Sequence, residues 1–558
     1  MRNAFRLVVL TVVALGLLTG TAFAQFSDSQ DRIFRTTKLF DSPLEATHSD
    51  FAFWGDHAVL GYYTATSGGV RIFDISNPAS PDEIKNFPCN GNQNDPILWD
   101  RNGNGVADLM LLAVDRTMDS PDCDAAQSMQ PNPDFDPSDP ESPEFIRFDA
   151  NPQGWEGVRV FELSDGSGDY RDGDPFEVID QVDAQYTDCG AHTITANTKF
   201  ANDASNPRLV VYVQSYPLRP GPTCGQTGMP AGQEPYKNVN NPFEESDVEV
   251  EDPLHRVIQV LNVPLDDPAN TTEIAEPEIS YQIPGFPRDP DGKQEWAEKG
   301  QPPPPEREPA AVACHDVVIH VPDNILGAAC AEQGQVWPVD PDTLIPDTLH
   351  PMAVGDDEVS SGGTGQFPGA IDFFHSVMFD NGMETVNWVD ESFGRGCPPM
   401  TTWQPRPWNP AGGTHKTGYM YFSDMEGNFQ SRFHVGDRRP DISQGEYCSS
   451  HMGMTVTGIR RDLLVNAWYT GGMDVIDFTD PTRLKEIAYY DPERQTGAWS
   501  AYPYTGPLFN TGPGVPVYVS DGVEDNANAR GLEVYRPKIQ KPGKSKLLGH
   551  LNPQTMEE

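Results

Sequence analysis

Two stretches far apart in the chain share one alternation of apolar and polar positions. Residues 68–87 read GGVRIFDISNPASPDEIKNF and residues 471–490 read GGMDVIDFTDPTRLKEIAYY. In each, a glycine turn leads into a strand with an apolar residue at every second place, a polar turn with proline follows, and a second alternating strand closes the unit. Looser copies begin at 156 (EGVRVFELSDG), 255 (HRVIQVLNVPLDDPANTTEIAEPEI), 334 (GQVWPVDPDTLIPDTLHPMAV), 417 (TGYMYFSDMEGNFQSRFHVG) and 530 (RGLEVYRPK), so seven in all. A further strand pair precedes each copy, clearest in THSDFAFWGDHAVLGYYT (47–64) and SHMGMTVTGIRRDLLVNAWYT (450–470). The unit is thus four strands, the period of a propeller blade, and the pattern predicts an all-β fold, a seven-bladed β-propeller.

The last unit, from Trp499, lacks a fourth strand, because the chain turns to the basic, unpatterned KIQKPGKSKLLG. The segment DRIFRTTKLF (31–40) has a strand pattern and no partner of its own. It is expected to supply the outer strand of the last blade and so remove an exposed edge. The domain reading is a signal peptide over 1–24, the propeller over 25–537 and a basic tail over 538–558 carrying Lys538, Lys541, Lys544 and Lys546. The signal reading rests on Arg2 and Arg6 before the apolar run LVVLTVVALGLL, with small residues Ala22 and Ala24 ahead of Gln25. That run is shorter than a bilayer span, and no later segment is apolar enough for one. A secreted or periplasmic location follows as the expectation.

The pair GVRIFDISNPASPDEI and GMDVIDFTDPTRLKEIA resembles LVIVD repeats, found in exported bacterial β-propeller proteins. The resemblance covers nearly the whole mature chain and implies the fold; it implies little about activity. A more distant likeness, confined to the propeller layout and the His-Asp pair at a strand entrance, is to the selenium-binding protein and methanethiol oxidase family. Carotenoid cleavage oxygenases, whose seven blades hold an iron ion with axial histidines, offer an analogy of fold and site that transfers no activity by itself.

Strands A to D of a blade run from the axis outward, so the D-to-A and B-to-C connections emerge on one face. His48, His192, His315, His375 and His451 all stand at the entrance of strand A. Matching residues of different blades ring the channel mouth, and imidazole suits Zn, Cu, Fe and Ni. The expectation is a histidine-lined mouth that binds a transition metal, copper or iron and possibly zinc, together with a small-molecule ligand. The alternative is that each histidine merely hydrogen-bonds the neighbouring blade. The ends of strand B should reach the same bowl with Tyr63, Arg116, Tyr216, Asp390, Glu391, Trp468, Tyr469 and Asp521. Asp390 and Glu391 in VDES are the candidate catalytic carboxylates, as general base or as ligand.

Eight cysteines in an exported chain suggest disulfides. Consecutive pairing, Cys89 with Cys123, Cys189 with Cys224, Cys314 with Cys330 and Cys397 with Cys448, staples strand entrances to strand exits on the histidine face. A thiolate ligand at Cys314 beside His315 is the competing reading. Long insertions at 117–153, 216–253, 284–310, 341–370 and 393–417 are placed on the same face as D-to-A or B-to-C connections.

A separate signal lies in WDRNGNGVADLMLLAVD (99–115). Asp100, Asn102, Asn104 and Asp108 fall at positions 1, 3, 5 and 9 of a calcium loop, with Val106 offering its carbonyl. Leu111 stands where an EF-hand has glutamate and a strand follows, so the loop looks like the Ca2+ hairpin of FG-GAP repeats, with an Asn-Gly turn as the alternative. The formal net charge of −45 argues against a nucleic-acid partner and against an anionic membrane surface. No G-x-S-x-G, P-loop or H-E-x-x-H motif occurs. The functional expectation is a metal-dependent oxidoreductase of copper or iron; the alternative is a non-catalytic module that binds an extracellular protein or polysaccharide.

Overall fold

The computed structural model describes residues 32–42, 44, 46–64, 67–119, 121–123, 129–131, 145–147, 155–164, 176–187, 190–215, 257–279, 314–330, 333–356, 366–369, 371, 373–392, 400–403, 413–438, 448–491, 497–506, 514–521, 531–539 and 549–557. Seven of their sheets, each built on four antiparallel strands, follow one another around a ring as a seven-bladed β-propeller, and two further two-stranded hairpins lie outside the blades. From blade 1 to blade 7, strand A is Thr47–Trp54, Gln93–Trp99, Thr193–Asn197, Asp316–His320, Phe374–Phe379, Gly453–Thr455 and Ala498–Pro503. Each strand A touches the strand A of the next blade, and that of blade 7 touches that of blade 1, so the ring is closed.

The residue pattern explains the placement. Strand B of blade 2 (Leu109–Asp119) opens with the continuous apolar run LMLLAV, because its blade packs on both faces. Strand D of blade 1 (Asp82–Pro88) is polar and largely exposed, as suits the outer rim. Strand A of blade 1 reads THSDFAFW and is buried throughout, polar residues included. Buried polar side chains on the innermost strands find partners in the adjacent blade, as Thr193 does at the His315 carbonyl and Thr455 at the Phe379 carbonyl, both at 2.7 Å.

Ring closure follows the predicted device, with one addition. Thr36–Ser42 pairs with Leu532–Pro537 as the outer strand of blade 7, and Lys38 reaches the buried carboxylate of Glu533 at 3.0 Å. Arg32–Phe34 instead pairs with strand D of blade 6 (Lys485–Asp491), so one N-terminal segment seals two blades. Arg35, at φ 51°, makes the step between them. At the blade 7 to blade 1 seam, Phe53 stacks on Tyr504 at 4.8 Å and meets Tyr518 at 5.2 Å.

The C-terminal segment is seated in the channel. His550–Leu551 pairs with the end of strand A in blade 1, and Thr555–Met556 pairs parallel to the end of strand A in blade 4. Between them Asn552 exchanges hydrogen bonds with both backbone groups of Leu98 in blade 2, at 3.0 Å each. Thr555 donates to the Ala196 carbonyl of blade 3 at 2.8 Å. All these contacts lie away from the histidine end of strand A, so the segment fills the far mouth.

The stretch 341–370 departs from the expected insertion. Ala353–Gly355 within it is strand D of blade 4, and 341–352 is therefore a C-to-D connection on the opposite face. The insertions at 216–253 and 284–310 lie outside the described residues. Phe53→Ala would remove the aromatic wedge at the closing seam and should cost about 3–5 kcal/mol of stability, read by denaturant unfolding.

Candidate functional site

Strand A starts in every blade at the same end of the channel, and β-bulges aim the side chains there. In blade 5 the ladder shifts between Phe374 and Ser376, leaving His375 as the bulged residue. In blade 7 it shifts between Ala498 and Ser500, leaving Trp499 in the equivalent place. A bulge bends the strand and redirects one side chain, a device common beside functional sites. His192, His315 and His451 stand just ahead of strand A in blades 3, 4 and 6.

The four rings make an unbroken arc. Ring centres of His192 and His315 are 4.3 Å apart, of His315 and His375 4.0 Å, and of His375 and His451 4.0 Å. Trp499 ends the arc, 4.6 Å from His451. Each histidine is at most 4% exposed. His48 stands apart: its ring faces Tyr62 at 6.4 Å, and the charge of Arg71 acts on it.

Partners on the outer nitrogens orient the rings. His315 Nδ1 donates to the His375 carbonyl at 3.1 Å, and His451 Nδ1 donates to the Trp499 carbonyl at 2.6 Å. A carbonyl can only accept, so both protons sit on Nδ1 and both Nε2 lone pairs are free of a proton. His192 Nδ1 is held by the carboxylate of Asp115, which also accepts from Asn92. Carboxylate and carbonyl partners of this kind are the usual outer shell of metal-binding imidazoles.

Glu391 completes the site. Its carboxylate is 3.7 Å from His375 Nε2 and 3.9 Å from His451 Nε2, and it accepts from the Tyr469 hydroxyl. Tyr469 sits at φ 39°, in the left-handed region that a tyrosine rarely adopts, and the turn there carries its hydroxyl inward. The ligand atoms of His375, Glu391 and His451 all lie within 4.8 Å of one another, so the group could hold a metal ion. The donor set fits one: two nitrogens and an oxygen, all buried, with His375 Nδ1 lacking a hydrogen-bond partner among the described residues.

Burial keeps the imidazoles neutral. Desolvation lowers His451 to about 3, the Trp499 carbonyl opposing, and holds His315 and His375 well below the ordinary histidine value, the neighbouring rings adding to the effect. Desolvation and Arg71 bring His48 to about 3. Neutral rings offer lone pairs without first losing a proton.

The other sequence-level candidates fall in different places. Asp390 is tied into blade 5: its oxygens accept from the amides of Phe373 at 3.1 Å and Gly418 at 2.7 Å. Asp521 does the same for Gly497 at 2.7 Å, and Trp468 donates to Asp474 at 2.9 Å. Cys89–Cys123 and Cys314–Cys330 are disulfides, and Cys448 is oxidised too. Cys189, Cys224 and Cys397 lie outside the described residues, as do Tyr216 and the side chain of Arg116. In the loop at 100–108, Asp100 accepts from the amides of Gly103 at 2.7 Å and Gly105 at 2.6 Å, and Asn104 accepts from Val106 at 2.8 Å. Asp108 is paired with Arg101 at 3.2 Å and accepts from Asn102 at 3.0 Å. The loop joins strands A and B, on the face opposite the histidines.

No family model matches the chain, and no curated protein matches it. Among solved structures, the chain is similar to Raptor of Chaetomium thermophilum (9% identity over 92% of this chain and 30% of Raptor, TM-score 0.41). It is also similar to Sqt1 of Saccharomyces cerevisiae (8% identity, 91% of this chain and 100% of Sqt1, TM-score 0.41). A Lactobacillus plantarum protein aligns at 9% identity over 88% of this chain and 97% of its own, again with TM-score 0.41. Identities and scores this low assign the chain to none of them.

Because Cys314 is bonded to Cys330, its sulfur serves as a staple beside His315. Replacing both by alanine should lower unfolding stability by about 2–4 kcal/mol and leave metal content unchanged. A loss of bound metal in that variant, measured by elemental analysis, would restore the thiolate-ligand reading.

Proposed function

We propose that the protein is an exported propeller whose histidine rim binds a transition metal, iron(II) before copper or zinc, and that it acts as an oxidoreductase on a small molecule at the channel mouth. The observation that carries this reading is the convergence of His375, Glu391 and His451 within 4.8 Å. Two imidazoles and one carboxylate with further positions open are the donor set of non-haem iron(II) oxygenases. Bound there, a redox metal would supply electron-transfer or oxygen chemistry that no side chain offers.

The chain's own residues have separable roles. His375 and His451 present neutral nitrogens. Glu391 offers charge and is oriented by Tyr469. His315 and His192 are the nearest further donors, and the buried ring of Phe373 and the half-buried ring of Trp499 flank the arc and limit water. The two disulfides suit an oxidising compartment, in keeping with the exported reading. Among the described residues no helix is long and apolar enough to cross a membrane. The loop at 100–108 is read as a Ca2+ hairpin that stiffens blade 2, with the ion sharing Asp108 with Arg101.

The second reading is a non-catalytic module that binds an extracellular protein or polysaccharide. It is favoured by the carbonyl partners that His315 and His451 have found in neighbouring blades, which is what structural histidines would do.

Metal analysis separates the two. Untagged protein reconstituted with iron(II), copper or zinc should retain about one equivalent per chain after desalting. His375→Ala combined with His451→Ala should lose it while His48→Ala keeps it, with circular dichroism confirming the fold. Glu391→Gln should weaken retention by about 10–100-fold. Wild-type protein that retains none of the three metals would leave only the interaction-module reading.

A further inference from the structure

The two sulfurs of one disulfide on the histidine face stand in opposite surroundings. Cys89 lies in the connection from blade 1 into strand A of blade 2 and is 1% exposed. Its partner Cys123 is half-buried, in a turn after strand B of blade 2 where Pro121 and Asp122 are exposed. Arg159, on strand C of blade 2 (Trp155–Ser164), is fully buried and donates from Nη1 to Cys89 Sγ at 3.0 Å, its guanidinium 5.3 Å from the Trp155 ring. The Cys314–Cys330 disulfide has no such asymmetry, with its two residues 2% and 0% exposed.

A sulfur in a disulfide is uncharged and a weak acceptor, whereas a thiolate is a full anion. A cationic N–H set on that sulfur therefore interacts more strongly once the S–S bond has opened than before. In thiol–disulfide exchange the sulfur whose thiolate is better stabilised leaves faster, and attack falls on the sulfur that an incoming thiolate reaches. Arg159 fits Cys89 for the first role, and partial exposure fits Cys123 for the second. The backbone favours opening at the same end. Just beyond Cys89, Gln93 and Asn94 stand in succession at φ 65° and 53°, in the left-handed region, a strained stretch that the disulfide helps to hold. The Cys123 turn is anchored independently: its amide donates to Gln181 Oε1 at 3.2 Å, and Gln181 donates to the Pro121 carbonyl.

We propose that Cys89–Cys123 is an exchange-active disulfide, a site at which low-molecular-weight thiols modify the protein beside the histidine rim. The incoming thiolate bonds to Cys123 Sγ, the Cys89–Cys123 bond breaks, and its electron pair leaves on Cys89 Sγ as a thiolate facing Arg159. A second thiol then displaces Cys123. The protein disulfide takes up two electrons and the two small thiols are oxidised to their own disulfide; of the two protons they release, Cys123 keeps one and water takes the other. Three residues past Cys89, Asn92 donates to the Asp115 carboxylate that holds His192, which places the modification next to the arc. Asp122 beside Cys123 and the net charge of −45 favour an uncharged or cationic thiol over an anionic one. None of this depends on a metal at the rim.

Cysteamine is the probe, in cysteamine and cystamine buffers of stepped ratio applied to folded full-length protein. Samples are quenched in acid, unfolded and alkylated, and each cysteine is read by peptide mass spectrometry. Cys89–Cys123 should open at a ratio that leaves Cys314–Cys330 intact, and brief exposure should place the cysteamine adduct on Cys123 with Cys89 as the free thiol. Arg159→Gln should make opening about tenfold less favourable, a potential about 30 mV lower for this two-electron couple. Opening only together with Cys314–Cys330, or an Arg159→Gln protein that opens at the parent's ratio, would overturn the proposal. Should Arg159→Gln not fold, the adduct in the unaltered protein decides the matter: on Cys123 the proposal stands, on Cys89 it falls.

Discussion

A ring of sheets has no central core. Each blade buries its two faces only against its neighbours, so a single open seam would expose two apolar faces at once. Everything else here depends on that closure. It is achieved by Thr36–Ser42 completing blade 7, by Arg32–Phe34 covering the edge of blade 6, and by Phe53 wedged against Tyr504 and Tyr518 where the last blade meets the first. Fully paired edges and stacked aromatics leave the innermost strands held rigidly around the axis.

That rigidity has an electrostatic consequence at the hub. Strand A carries residues such as His48, Asp50, Asp95, Asp316 and His375 that would be hydrated in isolation and are nearly dry in the closed ring. Desolvation pushes the imidazoles toward neutrality, which leaves ring lone pairs available to a cation, and pushes the carboxylates toward protonation. Nitrogen donors collect at one end of the axis, with the Glu391 carboxylate among them. The C-terminal segment fills the mouth opposite the histidines.

Much of this was legible in the residues. Alternation in GGVRIFDISNPASPDEI and its six copies marks the blades, because each strand presents alternate faces to two neighbours, and the unpartnered 31–40 strand marks the closing piece. Cys89 with Cys123 and Cys314 with Cys330 follow from the same frame. Less legible was which side chain turns inward. At the end of strand B in blade 2 the residue that reaches the rim is Asp115, one before Arg116, and a shift of one residue reverses every side chain on a strand. Trp499, in the histidine position of blade 7, carries no ligand chemistry to draw notice. The tail pairs through strands of two residues, too short for any periodicity.

By itself, then, the sequence determined the number and order of the blades, the end of each strand A at which the histidines stand, and the excess of acid over base. Tertiary structure alone decided that His192, His315, His375 and His451 form one arc while His48 stays outside it, and that Glu391 faces them. The reason is physical. Repeat position fixes how far along the axis a residue lies, whereas a bulge, a neighbouring carbonyl and the curvature of the closed ring fix the direction in which its side chain points.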